Sequence, residues 1–389
     1  MVNKDISISI IFHFNMNFMF LILLLTLAAS QDLISSFVLV NVGSSSSYHP
    51  LFKNEWADWD VSGPFELTGA GMREQYLLGK ELKRRYTESK LLSDDDLYNQ
   101  VMIRSVDHNN IIESAISFLR GFVPDYTKSL NEKEINVSVP EIKVHKKFIS
   151  DLGNNMLPNK MNTLPFHTYY PHQEDLFDSC SCPKANNLIN SSFFDDSKVK
   201  EIINKYEKPF LDIIKEAYGI EEKPESRNYI KILESVITLM NQHKPTKLNE
   251  TDDKLVKDFF EELYYYLKAG NEQANSYRAI PILGFIWNIF NATLGLAAEK
   301  ETIKAGFSFI NDEMFASFLY YVTGEEVRKI EPSSIITIDL YKDNIVKLKY
   351  NDREKKIKDC GDNCDFKKFT EVVEKFKKEL GDVKDKCKA

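Results

Sequence analysis

Short continuous apolar runs predict the strands of a sheet that is buried on both faces. The clearest run covers residues 37–40, and residues 100–104 and 305–310 have the same character. A helical pattern begins at Thr68 and connects the first two runs, which is typical of parallel strands joined by a crossover helix. Because open α/β sheets bind their ligands beyond the carboxyl ends of such strands, we expect a ligand site near residues 41–43.

The helix that follows Thr68 carries apolar residues along one face and charged residues on the other. The apolar stripe consists of Met72, Tyr76, Gly79, Leu82 and Tyr86. We expect this stripe to be the buried face of the helix. A second helix is predicted for residues 111–119, after the strand of residues 100–104.

The apolar spacing becomes purely helical from about residue 195 and predicts a separate lobe. Three amphipathic stripes in this stretch begin near Ser197, Tyr229 and Leu255. A hydrophobic helix is predicted after Ile280 and through Trp287, and strand patterns then return. They comprise residues 305–310 and a hairpin of residues 335–340 and 345–349.

This order of elements predicts an α/β fold that is interrupted by an all-helical insertion. We expect residues 31–182 and 281–389 to form a doubly wound, Rossmann-like sheet domain, and residues 183–280 to form the inserted helical domain. A chain of 389 residues with 43% hydrophobic content can bury a core of this size.

The first thirty residues have the features of a signal peptide rather than of a folded element. Residues 18–29 are apolar, and the small side chains of Ala28 and Ser30 precede a cleavage position before Gln31. The apolar run is shorter than the roughly 20 residues that span a bilayer. We therefore expect residues 1–30 to be removed. The mature protein should have no stable membrane span and should be extracellular or in the lumen of the endomembrane or lysosomal system.

Two features of composition fit an oxidising compartment. Four sequons give candidate glycosylation sites at Asn136, Asn190, Asn249 and Asn291. The five cysteines favour disulfides over zinc, because no histidine lies near them to complete a ligand set, and we expect neither a metal nor a cofactor. The net charge of −8 argues against nucleic acid as a partner, because an acidic surface repels phosphates.

A longer motif covers residues 67–86, LTGAGMREQYLLGKELKRRY. It closely resembles the segment after the active-site loop in the histidine acid phosphatases of the prostatic and lysosomal type. The resemblance continues over nearly the whole mature chain in residues 103–105, 113–115, 165–168, 175–176, 182–183, 280–284, 332–334, 349–351 and 360–369. It implies the histidine phosphatase fold, which is phosphoglycerate mutase-like, and the activity of a phosphoric monoester hydrolase.

The resemblance also implies a disulfide framework. Cys360 and Cys364 look like the family's terminal cysteine pair. Cys387 is expected to bond to Cys182, by analogy with the family's bond between its tail and a Cys-Pro segment. Cys180 is then the leftover thiol.

The chemistry of this family needs specific side chains. At the end of its first strand, an Arg-His-Gly-x-Arg motif supplies a histidine that attacks phosphorus and arginines that neutralise the phosphoryl oxygens. A later His-Asp pair supplies the acid that protonates the departing alkoxide. The corresponding positions of this sequence are degenerate: Asn41, Val42, Ser45, Asn110 and Asn311. Val42 stands where the nucleophile would be, and Asp312 alone is retained.

Other polar residues have ordinary structural explanations. Asp312 is expected in the first turn of a helix, where a carboxylate caps the helix or meets its dipole. Arg104 is expected to contact a buried carboxylate or carbonyl group, and His167 to make a hydrogen bond in the core. Residues 264–266, three consecutive tyrosines, are expected to pack at the edge of the helical lobe.

Two replacements for the lost nucleophile can be formulated from the sequence. The serines of residues 44–47, with His49 nearby, suggest a serine nucleophile, but the spacing of a nucleophile elbow is absent and a polar loop explains them. His108 could act as a displaced nucleophile.

Three functions therefore remain open. The leading one is a secreted, catalytically inactive relative of the histidine acid phosphatases that acts by binding an unknown protein or small-molecule partner. The alternatives are an active acid phosphatase that hydrolyses phosphate monoesters with atypical residues, and a structural or storage glycoprotein. A homodimer is compatible with each of them.

Overall fold

The computed structural model of the protein describes most of the chain after residue 31. It describes residues 32–48, 50–51, 55, 61–169, 177–224, 228–242, 244, 246–295, 303–361, 363–381 and 387. The predicted leader at residues 1–30, His49 and the motif of residues 175–176 lie outside these ranges.

Seven strands form one mixed sheet. They are β1 (Leu33–Asn41), β2 (Val101–Val106), β3 (His167–Tyr169), β4 (Ala305–Ile310), β5 (Ile335–Tyr341), β6 (Val346–Tyr350) and β7 (Arg353–Lys355). Their order across the sheet is β3, β2, β4, β1, β5, β6, β7. The first four run parallel to one another, and each of the last three is antiparallel to its neighbour.

The described residues form twelve α-helices. They are α1 (Gly69–Glu88), α2 (Leu97–Gln100), α3 (Asn109–Phe122), α4 (Glu132–Val137), α5 (Lys146–Leu152), α6 (Pro183–Asp195), α7 (Ser197–Tyr218), α8 (Tyr229–Asn241), α9 (Glu250–Ala269), α10 (Glu272–Thr293), α11 (Asp312–Thr323) and α12 (Phe366–Leu380). Together with the mixed sheet they give an α/β fold.

The sheet is buried on both faces at its centre. Residues 37–40 of β1 are fully buried, as expected for a continuous apolar run. On one face, Phe118 and Phe122 of α3 contact the ring of Phe307 in β4, with centroids 5.1 and 5.0 Å apart. The predicted strands β1 and β2 are parallel, but β4 lies between them.

The buried face of α1 differs from the predicted stripe. Gly79, Leu82 and Tyr86 are buried as expected, but Met72 and Tyr76 are 45% and 38% exposed. The reason is the close packing of α1 on α3: a Cβ atom on Gly79 would lie 2.1 Å from the carbonyl oxygen of Phe118. Small residues permit that approach, so the contact face is not the most apolar face of the helix.

The three helices predicted from Ser197, Tyr229 and Leu255 are α7, α8 and α9. The next helix, α10, is buried on most sides, and it packs against α6, α11 and α12. It begins at Glu272, although the sequence suggested a start after residue 280. The predicted domain boundary between residues 280 and 281 therefore falls inside a continuous helix.

Two pairs of cysteines lie at bonding distance. Cys182 is joined to Cys387, with Cα atoms 4.6 Å apart, and Cys360 is joined to Cys364, with Cα atoms 5.1 Å apart. These are the two pairs that the resemblance implied. Among the residues that the structure describes, no helix has both the length and the apolar character needed to cross a membrane.

Candidate functional site

Three neighbouring strands, β2, β4 and β1, end at the same edge of the sheet. Asn41 is the last residue of β1, and it pairs with Ile310, the last residue of β4. Asn110 lies in the first turn of α3, which follows β2, and Asn311 is the N-cap of α11, which follows β4. The structure thus brings Asn41, Asn110 and Asn311 to the edge at which an open α/β sheet binds its ligands.

The loop after β1 packs tightly on the start of α1. A Cβ atom on Gly43 would lie 2.9 Å from the carbonyl oxygen of Gly71, and a Cβ atom on Gly71 would lie 2.3 Å from the carbonyl oxygen of Ser44. Both positions therefore require glycine. Thr68, the N-cap of α1, adds a hydrogen bond from its hydroxyl group to the Ser44 carbonyl oxygen at 2.9 Å.

Ser45 and Asn110 contact each other directly. The Nδ2 atom of Asn110 donates to the Oγ atom of Ser45 over 3.1 Å, and that hydroxyl group donates to the carbonyl oxygen of Gly43 over 3.0 Å. Gln242, just after α8, donates to the carbonyl oxygen of Ser45 over 2.8 Å. Two positions that the resemblance assigns to phosphate-binding arginines are thus held together by a hydrogen bond between short side chains.

A carboxylate binds the backbone of this loop. Glu74 of α1 accepts hydrogen bonds from the N–H group of Ser44 at 3.0 Å and from the Ser44 hydroxyl group at 2.7 Å. It also accepts one from the hydroxyl group of Ser333 at 3.1 Å. An N–H group at a strand-to-helix loop is the kind of donor that anions bind. Here a side chain of the protein already occupies it.

The neighbouring backbone donors are also engaged. Asn41 and Val42 donate from their N–H groups to the carbonyl oxygens of Ser334 and Ile310, at 2.9 and 3.2 Å. Gly43 donates to the hydroxyl oxygen of Ser114 at 3.1 Å. The side chain of Asn41, which is only 3% exposed, donates from Nδ2 to the carbonyl oxygen of Glu331 at 3.2 Å.

Asn311 and Asp312 lie at the start of α11. The Oδ1 atom of Asn311 caps the helix by accepting from the N–H group of Met314, and its Nδ2 atom donates to the hydroxyl oxygen of Ser179 at 2.8 Å. Asp312 is the first residue of the helix, and its carboxylate lies 3.3 Å from the Nζ atom of Lys268. The cap is therefore Asn311, whereas Asp312 makes an ion pair.

Lys268 connects the helical lobe to this edge of the sheet. Its Nζ atom also lies 3.2 Å from Glu234 of α8, and its side chain is 12% exposed. Burial alone would lower the pKa of Lys268, but the carboxylates of Asp312, Glu234 and Glu313 outweigh burial and raise the pKa well above its usual value. Lys268 is therefore a fixed cation at ordinary pH.

A model of the histidine phosphatase superfamily (branch 2) matches residues 40–283, which are more than half of the chain and include the loop after β1. The chain belongs to branch 2 of the histidine phosphatase superfamily. The match ends before Asn311 and Asp312.

One curated relative and several solved structures resemble this chain. The Caenorhabditis elegans protein named "Putative acid phosphatase 5" is 29% identical over 189 residues, which are 40% of this chain and 43% of the relative. The chain thus matches less than half the length of that relative. Phytase from Hafnia alvei, in complex with myo-inositol hexakis sulphate, has a TM-score of 0.62 at 12% identity, over 93% of this chain and 99% of its own.

Two further enzymes share the fold. Phytase from Citrobacter braakii has a TM-score of 0.60 at 12% identity, over 89% of this chain and 98% of its own. The multiple inositol polyphosphate phosphatase of Bifidobacterium longum, in complex with inositol hexasulfate, has a TM-score of 0.55 at 13% identity, over 88% of this chain and 92% of its own. At these identities the likeness concerns the fold alone.

The remaining polar residues considered in the sequence analysis contact the protein interior or lie on its surface. The guanidinium group of Arg104 lies 4.0 Å from the ring centroid of Phe177, a cation–π contact that the sequence did not indicate. His108 precedes α3, and its Nε2 atom lies 3.9 Å from the buried carboxylate of Asp178. His167 is exposed on the edge strand β3, so the expected core hydrogen bond is wrong, because a three-residue edge strand cannot bury it.

The tyrosine cluster of the helical lobe packs as expected. Tyr264 is buried, and the ring of Tyr265 contacts the rings of Tyr266 and Tyr320 at 5.2 and 5.1 Å. Within the described part of the chain, no cluster of three or more histidine, cysteine, aspartate or glutamate residues could hold a metal ion.

The candidate glycosylation sites differ in accessibility. Asn136 and Asn190 are exposed on α4 and α6. Asn249 is exposed but caps α9, and its Nδ2 atom donates to Asp252 at 2.7 Å. Asn291 is half-buried in α10. The side chain of Cys180 lies outside what the structure describes.

The sequence did not indicate four residues that make hydrogen bonds or ion pairs at the site: Glu74, Gln242, Glu234 and Lys268. Each lies on a helix or just after one, far along the chain from the group that it contacts. Gln242, for example, is 197 residues from its partner Ser45. No local pattern marks such residues.

Proposed function

We propose that this protein is a catalytically inactive histidine phosphatase that acts by binding a partner rather than by hydrolysing phosphate esters. The proposal is supported mainly by the hydrogen bonds that hold the loop after β1. In this loop, Ser45 contacts Asn110 and Ser44 contacts Glu74. By the resemblance, short side chains without charge take the places of the family's nucleophile and cations, and the carboxylate of Glu74 lies beside them.

The nucleophile is the first missing function. Val42 has no lone pair, so neither a pKa shift nor a change of geometry can make it attack phosphorus. Loss of one preorganised donor typically costs a hundred- to a thousand-fold in rate, and loss of a nucleophile removes most of the enhancement of a cooperative set. Inactivity, rather than slow turnover, is the expected consequence.

Phosphate binding should also be lost. A phosphate dianion is stabilised in a protein when arginines or backbone N–H groups replace its hydration shell. Asn41, Ser45 and Asn110 carry no charge, and Glu74 holds the N–H group of Ser44 with a negative charge of its own. An anion would have to displace that carboxylate and then lie close to it.

The retained acid position is engaged as well. The carboxylate of Asp312 lies 3.3 Å from the ammonium group of Lys268, which is a fixed cation. The Asp312 side chain thus already has a partner from the helical lobe. Asp312 therefore contributes to the contact between helices α9 and α11.

The similar proteins are named as phosphatases, which is the activity that we propose this chain lacks. They are phytases, an inositol polyphosphate phosphatase and a named acid phosphatase, with inositol hexasulfates bound in two of the structures. We infer that this chain keeps their scaffold for recognition. Its partner, a protein or a small molecule, is not a phosphate ester bound at the loop after β1.

The proposal includes the secretory pathway as the destination. The predicted leader, the two disulfides and the exposed sequons at Asn136 and Asn190 support it. Protein from a secretory host should lose mass on glycosidase treatment, mainly from these two positions. Unchanged mass would remove glycosylation from the proposal.

A phosphomonoesterase assay of the purified mature protein tests the proposal. p-Nitrophenyl phosphate and phytate should not be hydrolysed above the buffer blank from about pH 4 to about pH 7. The active alternative rests on the contact between His108 and Asp178. Turnover that disappears in His108→Asn or in Asp312→Asn would establish that alternative and overturn the proposal. Turnover that survives both variants would indicate a contaminating enzyme, which a second purification would remove.

A further inference from the structure

A groove with a volume of about 550 Å³ lies on the helical lobe. Helices α7 and α9 form its two walls, and Glu326 and Arg328, which follow α11, complete its lining. None of the residues that line it belongs to the loop after β1. A volume of this size falls within the roughly 300–1,000 Å³ of sites for small organic molecules.

The groove carries more carboxylates than cations. Its acidic residues are Glu201, Asp258, Glu261, Glu262 and Glu326, and its basic residues are Lys198, Lys205 and Arg328. Lys205 and Glu262 form an ion pair at 3.0 Å and neutralise each other. The other six make no ion pair with any residue in the described ranges. Four carboxylates against two cations leave an excess of two negative charges.

Charges of both signs flank the lining residues on the same two helices. They include Asp195 and Asp196, which precede α7, and Lys208 and Lys254, which lie within α7 and α9. These flanking charges offset one another. The excess of negative charge is therefore a property of the groove itself.

Two tyrosine rings belong to the wall of the groove. Tyr265 and Tyr266 are half-buried, and their ring centroids lie 5.2 Å apart with the ring planes at 72°. Burial raises the pKa of both phenol groups, and the negative charge of Glu326 raises both further. The faces of such rings attract ammonium groups. Because Glu326 acts on both rings, a cation that contacts a ring here also lies in the field of a carboxylate.

The negative groups are spread along the groove rather than gathered at one point. Asp258 precedes Tyr265 by seven residues of α9, which is a rise of about 10 Å, and Glu261 lies between them. Accordingly, no three acidic side chains in the described part of the chain are grouped so that they could hold a metal ion. An elongated organic cation with separated charges matches this arrangement better than a metal ion does.

We propose that this groove binds a linear polyamine, an aliphatic chain that carries two or more ammonium groups. The ammonium groups are bound by Asp258, Glu261 and Glu326, and the methylene segments between them lie against the rings of Tyr265 and Tyr266. The groove shares no residue with the loop after β1, so the proposal does not depend on whether the protein is catalytically inactive.

Calorimetric titration of the full mature protein with spermidine at constant ionic strength tests the groove. Spermidine should bind with a stoichiometry of one. Magnesium ions, which have the charge without the chain, and octanediol, which has the chain without the charge, should each bind about tenfold more weakly or not at all. Displacement of spermidine by an equal concentration of magnesium ions would reveal a diffuse acidic surface and overturn the proposal.

A pair of charge variants tests the carboxylates. Glu261→Gln/Glu326→Gln should weaken spermidine binding about tenfold, because two charge pairs at the protein surface are lost. The matched control Glu371→Gln/Glu374→Gln removes two exposed carboxylates of α12 and should leave the affinity within about twofold. Equal losses in the two variants would mean that spermidine responds only to the net charge of the protein, which contradicts a site in the groove.

A pair of ring variants tests the tyrosines. Tyr265→Leu/Tyr266→Leu should weaken spermidine binding about fivefold, because two contacts between an ammonium group and a ring are lost. Tyr265→Phe/Tyr266→Phe keeps both rings and should bind spermidine within about twofold of the unmodified protein. Equal affinities of the leucine and phenylalanine variants would remove the rings from the site and refute the proposed binding mode.

A basic segment of another protein could present the same ammonium groups on lysine side chains. A trilysine peptide with blocked ends, which carries as many ammonium groups as spermidine, distinguishes this source in the same titration. Weaker binding of the peptide than of spermidine supports a small polyamine. Tighter binding of the peptide would assign the groove to a protein partner and overturn the proposal.

Discussion

Short polar side chains define the candidate site at the scale of single residues. An arginine side chain is long and positively charged. The side chain of Asn110 is short and uncharged, and it donates its hydrogen bond to Ser45. Glu74 brings a negative rather than a positive charge to this loop. Its carboxylate accepts hydrogen bonds from Ser44 and Ser333. The hydrogen bonds of Ser45, Asn110 and Glu74 hold the loop after β1, whereas the buried Oδ1 atom of Asn41 has no hydrogen-bond partner within the described part of the chain.

Glu74→Ala should destabilise the protein by about 1–3 kcal/mol, because the buried N–H group of Ser44 loses its partner. The adjacent and exposed Arg73→Ala is the matched control and should change the free energy of unfolding by less than about 0.5 kcal/mol. Urea unfolding measures both values. Similar values for the two variants would mean that Glu74 does not hold the loop.

Lys268 gives a prediction about pH. The pKa of Lys268 is raised in the folded protein, so its contribution to stability is complete below the unfolded pKa of about 10.4 and is lost only as the pH rises through the higher folded value. Lys268→Met should therefore cost a constant amount from about pH 6 to about pH 9. Because Asp312 and Glu234 are each about one-third exposed, we expect about 2 kcal/mol rather than the full cost of breaking a buried pair.

The exposed Lys257→Met is the control for this variant and should have almost no effect. Chemical unfolding at several pH values within that range supplies the comparison. A destabilisation by Lys268→Met that vanished near pH 7 would show that the ammonium group is not held by its carboxylates.

Elements with a continuous or strongly periodic pattern were the predictable ones. The sequence indicated β1, β4, the hairpin of β5 and β6, and helices α7 to α9, because burial on both sides or on one stripe leaves a local signal. Local patterns could not predict the exposure of Met72 and Tyr76. They also could not predict that α10 begins before residue 280. Both depend on which neighbouring helix is packed against the element, and at what distance.

The crossing of α1 and α3 gives the prediction at this scale. A Cβ atom would lie 2.1 Å from the Phe118 carbonyl oxygen at Gly79 and 2.0 Å from the Tyr76 carbonyl oxygen at Gly121. Gly79→Ala and Gly121→Ala should each lower the free energy of unfolding by about 2–3 kcal/mol, because the two helices must separate. Gly69→Ala, at the open start of α1, meets no atom within 4 Å and should be neutral or slightly stabilising. Equal tolerance of alanine at all three glycines would contradict the close packing.

The two disulfides constrain the whole molecule unequally. The bond between Cys182 and Cys387 spans 205 residues, and the bond between Cys360 and Cys364 spans four. Loop-closure entropy predicts a loss of about 5 kcal/mol for the double serine variant of the first pair and about 2 kcal/mol for that of the second. Denaturant unfolding of both variants provides the test, and an equal or reversed order would mean that the long loop is already constrained in the unfolded chain.

The positions of the candidate site stay a prediction from the resemblance, whereas the contacts around them could not be predicted from the sequence. The resemblance marked Asn41, Val42, Ser45, Asn110 and Asn311 because each stands in a recognisable motif. The partners that now occupy their surroundings, Glu74, Gln242 and Lys268, are brought there by the packing of α1, α8 and α9. Only the folded molecule shows that Asn110 contacts Ser45 and that Glu74 accepts from the N–H group of Ser44.

Anion binding tests the central claim most directly, because it does not depend on the choice of a substrate. The melting temperature of the mature protein should not change with millimolar phosphate or vanadate at constant ionic strength, since only a ligand that binds the folded state raises it. The positive control introduces the family's cations in the variant Asn41→Arg/Val42→His/Ser45→Arg/Asn110→Arg/Asn311→His. Phosphate should raise the melting temperature of this variant. A ligand at a hundred times its dissociation constant stabilises by about 2.7 kcal/mol, which a thermal scan resolves. Stabilisation of the unmodified protein by phosphate would contradict the account, because an anion site would then survive at the edge of the sheet.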